Sequence, residues 1–223
     1  MAEPPPPPAP IVAAGEAIEV ASFRHIDASV ADRSRYDDRQ WPLVRRLIHT
    51  SGDFDFNGLT RFHPRAMEAG IAALAAGRPV TVDVAMIRAG LTPRRLLPLG
   101  IAVHQFNADP EVVASAVAEG TTRTVQAMRT AWRRGLLTDA IIAIGNAPTA
   151  LLEVIRLIDR EGLRPALVIG FPVGFIRAAE SKESLSQVTA APWITIDGTK
   201  GGSTLVVAAL HTLMDLALEV AKR

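Results

Sequence analysis

The sequence predicts an α/β domain in which a mainly parallel sheet of five strands carries helices on both faces. Three observations point there. Short apolar runs alternate along the chain with longer stretches of helical spacing, as βα units require. The run 140–144, AIIAI, is apolar at every position, which suits a strand buried on both faces of a parallel sheet. The 223 residues, 48% hydrophobic and 21% charged, suffice for one packed core.

In chain order, the strand-like runs fall at 79–84, 100–106, 140–145, 166–173 and 192–197. Helical patterns occupy 38–50, 64–76, 110–119, 122–134, 147–161, 178–185 and 203–222. The junction after the third strand is the best defined. Gly145 permits a tight turn, Asn146 is of a helix-capping type, and Pro148 sits where its missing N–H costs nothing. The last helix holds the longest apolar stretch, 205–220, interrupted by His211, Asp215 and Glu219; it reads as too short and too polar to span a bilayer. No repeat and no linker divides the chain, so a single domain is expected over 13–223. The opening MAEPPPPPAP cannot form the apolar helix of an export signal, and 1–12 read as a disordered or polyproline tail.

Composition narrows the function classes. A net charge of +1 provides no global field for nucleic acid or an anionic membrane. The absence of cysteine excludes disulfides and thiolate metal sites and fits a cytoplasmic protein. The five histidines are scattered without metal-binding spacing, and P-loop, GxSxG and GxGxxG motifs are missing. Neither a metal nor a nucleotide cofactor is therefore expected.

Three junctions rich in Gly, Ser or Thr follow strands: IGNAPTA at 144–150, GFPVGFIRAAESKE at 170–183 and DGTKGGST at 197–204. In a parallel sheet they converge on the carboxyl edge, where ligands of α/β proteins bind. Backbone amides at the helix starts favour anions, and Lys200 adds charge. Separately, LVRRLIHTSGDFDF at 43–56 places Arg46 and His49 three residues apart on one helix face, beside the polar break Thr50-Ser51-Gly52. An imidazole so placed can exchange protons near neutral pH. Each feature also has a plain structural reading: a tight strand–helix connection at Gly145, a helix-start loop with a solvated lysine at 200–203, a polar helical turn at Glu180 and Lys182, and a hydrogen-bonded structural histidine at 49. Arg123, in the first turn of a helix, opposes the dipole there and is either a ligand contact or a solvated side chain. His25, His63, His104 and His211 read as surface or core histidines.

Taken together, these segments resemble the precorrin-8X methylmutase family of cobalamin biosynthesis, with its cobalt-precorrin-8 relatives. The resemblance runs from about Ser22 to Leu213 and rests on RLIHTSGDFDF at 46–56, VDVAMIRAGL at 82–91, GTTR at 120–123, IGNAPTAL at 144–151, PVGFIRAAESKE at 172–183 and KGGS at 200–203. It implies a three-layer α/β/α subunit working as a homodimer, with a corrinoid held near the subunit interface. The implied reaction moves a methyl group from carbon 11 to carbon 12 of the ring, with His49 as proton donor and acceptor. Ser22 and Arg46 fall where the family contacts its substrate. The full set of contacts expected is Ser22, Arg46, Thr50, Arg123, Gly145, Asn146, Ala147, Thr149, Gly174, Phe175, Ser181, Lys182, Lys200, Gly201, Gly202 and Ser203. The chain departs from the family pattern at Asp27, Thr199 and His211. Two other readings stand beside this one: a non-catalytic corrinoid carrier, and a nucleotide-binding dehydrogenase domain.

Overall fold

The computed structural model of the chain describes residues 9–221. Residues 1–8 of the expected tail lie outside that range, and from Ala9 onward the chain is helical, so the first helix begins inside the segment read as a tail. The elements run α1 (Ala9–Ser29), α2 (Trp41–Ser51), α3 (Phe56–Leu59), β1 (Thr60–Phe62), α4 (Ala66–Ala75), β2 (Val80–Val82), α5 (Ala85–Gly90), α6 (Pro93–Leu99) and β3 (Val103–His104). They continue with α7 (Pro110–Ala118), α8 (Arg123–Arg133), β4 (Ile141–Ile144), α9 (Pro148–Glu161), β5 (Leu167–Gly170), α10 (Ala178–Ser186), β6 (Trp193–Ile196) and α11 (Ser203–Ala221). All five expected strands and seven expected helices are present; α1, α3, α5, α6 and β1 are additional.

The sheet has six strands in the order β1-β6-β5-β4-β2-β3. Five are parallel, and β1 joins the edge antiparallel to β6, with Thr60 opposite Ile196. Alternate strand residues point to opposite layers, because side chains on a strand repeat every two residues. Ile141, Ala143, Leu167, Ile169, Ile194 and Ile196 enter one core with residues of α1, α2, α4, α5, α6 and α11. Ile142, Ile144 and Val168 enter the other with residues of α7 to α10. The architecture is three-layered α/β/α, as expected. From the centre, β2 and β3 progress toward one edge and β4, β5 and β6 toward the other, so the strand order reverses between β2 and β4. Their carboxyl ends flank the crevice in which open α/β sheets hold ligands.

Helix α11 corrects the reading of its own sequence. By length and composition alone it is long and apolar enough to cross a bilayer. Its surroundings are protein, however: it packs on α2, α4, α5 and α6 and buries Leu205, Val206, Leu210, Leu213 and Met214. His211 lies on its flank, where the ring nitrogen Nε2 accepts the Thr92 amide at 3.4 Å. Burial first, and then the nearby Arg95, lower the His211 pKa from 6.5 to about 4.

The folded protein thus keeps His211 neutral down to about pH 4, whereas the unfolded chain takes up the proton near 6.5. More protons on the unfolded state mean stability falls as pH drops through that window. Urea unfolding of wild type and His211→Asn between pH 7 and 4 should show a smaller loss in the variant. Parallel losses would contradict the assignment.

Candidate active site

Helix α2 carries two faces. Leu43, Val44, Leu47 and Ile48 are fully buried under α11 and α1, which turns Arg46, His49 and Thr50 outward. Gly52, in the left-handed conformation at φ 68°, donates its N–H to Ile48 O and ends the helix. Helix α1 crosses over this end. Phe23 of α1 meets the His49 ring edge-on at 5.2 Å, and the Arg45 and Arg46 guanidinium groups lie over the Phe23 ring at 4.5 and 4.7 Å. Such cation–π contacts contribute roughly 0.5–2 kcal/mol each and fix α1 on α2.

Between the two helices lies a cavity of about 470 Å³ lined by Ile18, Ala21, Ser22, His25, Ile26, Ile48, His49, Gly52 and Phe54. Ser22 and His49, both expected at the site, share it. Ser22 Oγ donates to Ile18 O within its own helix. His49 makes no hydrogen bond to the described residues, so its imidazole is available to a ligand. Arg46 and Thr50 open on the other side of α2, into a cavity of about 400 Å³ with Met86, Gly90, Thr204, Val207, Ala208 and His211. Arg46 and His49 therefore serve adjoining cavities rather than one. Arg46 is also ion-paired with Glu19 of α1, and Thr50 Oγ1 bonds the Arg46 carbonyl at 2.8 Å.

The helix start at Gly145 corrects the sequence reading most sharply. Asp83, which follows β2 and is fully buried, fills the crevice between β2 and β4 with its carboxylate. One oxygen accepts the Gly145 amide at 3.0 Å and the other accepts those of Asn146 and Ala147, both at 2.9 Å. The amides expected to hold an external anion hold an internal one. Asn146 is not the cap: the capping position is Ala147, and no side chain of the helix closes α9. Pro148 does occupy the first turn. Burial pushes the Asp83 carboxyl up, and the three amides oppose that; all three partners are donors, which suits the ionised form.

The other two junctions do converge. Gly174 N–H donates to Thr199 O and Gly202 N–H to Phe171 O at 2.8 Å. Gly201 is required where the two junctions touch, since a Cβ there would lie 2.4 Å from Phe171 O. A Cβ on Gly145 would meet Ser203 Cα at 2.9 Å, so the third junction packs on the same corner. The cations there are already answered. Lys200 Nζ bonds Asp53 at 2.5 Å and Asp55 at 2.6 Å, which raises the lysine's pKa and lowers that of Asp53. Lys182 is 1% exposed, its Nζ donates to Lys200 O at 2.6 Å, and burial lowers its pKa to about 8. Ser181 is buried and bonds Ala178 O in its own helix. Lys182 and Lys200, expected as substrate contacts, thus hold the junctions and the Asp53–Asp55 turn together, while Ser181, expected likewise, is spent inside its own helix. That turn borders the His49 cavity through Gly52 and Phe54.

On the far side of the sheet, Thr149 Oγ1 is within hydrogen-bond reach of Thr122 and Thr124, and Thr122 caps α8. Arg123 and Asn146 are exposed and line neither cavity beside α2. Phe175 is 91% exposed and Ile176 81%, an apolar tip on the second junction. Asp27, the departure noted in the sequence, accepts the Trp41 indole N–H at 2.8 Å and the Arg45 guanidinium at 2.7 Å, which ties α1 to α2. Sequence reasoning missed Asp83, Asp53 and Asp55; His25, read as a surface or core histidine, is exposed and lines the His49 cavity. A lone acid in the apolar run VTVDVAM was the signal for Asp83.

A family model described as precorrin-8X methylmutase matches residues 17–216. A cobalt-precorrin-8 methylmutase of Leptospira interrogans serogroup Icterohaemorrhagiae serovar Lai is 44% identical over 214 residues, covering 94% of this chain and 97% of that protein. One from Priestia megaterium is 42% identical, covering 93% and 91%. The crystal structure of a precorrin-8x methyl mutase from Thermus thermophilus matches with a TM-score of 0.86 at 48% identity, over 92% of this chain and 98% of that one.

Removing the Asp83 carboxylate leaves three buried or half-buried donors without an acceptor. Asp83→Ala should cost roughly 3 kcal/mol or more in urea unfolding, since each orphaned donor costs about 1–3 kcal/mol. A loss below about 1 kcal/mol would mean that water or a ligand, not Asp83, satisfies those amides.

Proposed function

The chain belongs to the precorrin-8X methylmutase family, isomerases of cobalamin biosynthesis, and we propose that it carries a methyl group from carbon 11 to carbon 12 of precorrin-8X or cobalt-precorrin-8 with His49 as the acid and base. The product is hydrogenobyrinate or its cobalt counterpart, cobyrinate. The observation that carries the assignment of His49 is its ring. It faces a largely apolar cavity beside Ser22, makes no hydrogen bond to the described residues, and is steadied by the edge contact with Phe23.

The chemistry asks for little else. A methyl shift between neighbouring ring carbons proceeds as a 1,5-sigmatropic rearrangement, in which no atom of the protein needs to bond the migrating carbon. Protonating a ring nitrogen withdraws electrons from the migration terminus, and one positioned imidazole supplies that proton and recovers it. General acid–base help of this kind contributes about 10²–10⁴-fold. The apolar wall receives the macrocycle edge, Ser22 offers a hydroxyl, and Arg46 answers a carboxylate arm once that arm displaces Glu19. Thr50 and Thr204 line the adjoining cavity beside Arg46.

A homodimer with the site near the subunit interface fits the exposed Phe175 and Ile176 at this corner. A cytoplasmic location fits a chain without cysteine. The dehydrogenase alternative loses its anchor, because Asp83 occupies the helix-start amides that a dinucleotide's phosphates would need.

Single-turnover conversion of precorrin-8X, followed by absorbance, tests the assignment. His49→Ala should convert about 10²–10⁴-fold more slowly while still binding the corrinoid. Full-rate conversion by the variant would remove His49 from the mechanism, and binding without conversion by wild type would make the protein a carrier.

A further inference from the structure

We propose that His25 is a specificity-determining residue for this reaction, donating from α1 to one carboxylate arm of the corrinoid while His49 handles the proton. The inference rests on the functional reading above and adds a residue to it. His25 lies one helical turn beyond Ser22, so both face α2 across the same cavity. Its imidazole, like that of His49, makes no hydrogen bond to the described residues, and the two histidines are the ionisable side chains lining that wall.

The acids nearest the cavity are engaged elsewhere. Glu19 pairs with Arg46, Asp27 with Trp41 and Arg45, and Asp53 with Lys200. Among the described residues, no carboxylate lines the cavity to compete for His25. An apolar cavity that presents two imidazoles and no acid matches a ligand with an apolar ring edge and an anionic arm. The two rings also differ in their settings. His49 is braced edge-on by Phe23, as proton transfer to a fixed ring atom requires. His25 stands on the outer helix in solvent, which suits a contact with a flexible side arm.

The test uses the full chain with precorrin-8X and separates KM from kcat. Losing one charge-assisted hydrogen bond is worth about 1.5–3 kcal/mol, so His25→Leu should raise KM at least about tenfold with kcat within about twofold. His25→Gln, which keeps an N–H donor, should recover most of that loss. His25 is exposed, so both variants should fold, and circular dichroism checks this. An unchanged KM in His25→Leu, or a fall in kcat as deep as that of His49→Ala, overturns the role. If wild type converts precorrin-8X and His25→Leu does so with unchanged KM, only this inference falls. If wild type neither binds nor converts it, the functional reading falls as well.

Discussion

A buried carboxylate held by three consecutive backbone amides sets the plan of this protein. Asp83 sits at the end of β2 and closes the start of α9 beyond β4, so one side chain joins the two strands between which the sheet reverses direction. It supplies the negative charge that the helix start favours. It also occupies the ordinary binding crevice of an open α/β sheet. The cavity whose imidazole has no partner among the described residues lies outward, between α1 and α2.

The same economy recurs around that cavity. Glu19 answers Arg46, Asp53 and Asp55 answer Lys200, and the Lys200 carbonyl answers the buried Lys182. Several charged residues near the site spend themselves on positioning, and the ionisable side chains lining the cavity, His25 and His49, make no hydrogen bond to the described residues. Exposed pairs of this kind contribute little to stability. Their value is geometric: Lys200 ties the Asp53–Asp55 turn to the strand-end loops, and that turn places Gly52 and Phe54 on the cavity wall. Phe23 does the equivalent work from α1, touching His49 and both neighbouring arginines.

Much of the fold was legible because apolar patterning reports burial directly. The central strands β4 and β5 are short runs without polar interruption, the other parallel strands are mostly apolar, and the helices that cover them show helical spacing. The residues that escaped notice are those whose patterns are short or uneven. Strand β1 has three residues, α3 four, and α5 six. Helix α1 starts beside a proline run and carries exposed apolar residues such as Ile18 and Val20, so no single stripe announces it. At the site, His49 and Ser22 were legible from their motifs and do share a cavity. Lys182, Lys200 and the amides after Ile144 were assigned to substrate because sequence shows a charge or a donor without showing what answers it. Asp83 lies about sixty residues before the amides it binds, Asp53 well over a hundred before Lys200, and only folding brings either pair together.

We place the ligand surface between α1 and α2, because the helix-start amides are already taken. Amide correlation spectra of ¹⁵N-labelled protein, titrated with hydrogenobyrinate, test it most directly. The largest shifts should fall within residues 18–25 and 46–54, with Gly145, Asn146 and Ala147 nearly unmoved. Shifts concentrated at 145–147, with those of α1 and α2 unchanged, would contradict it.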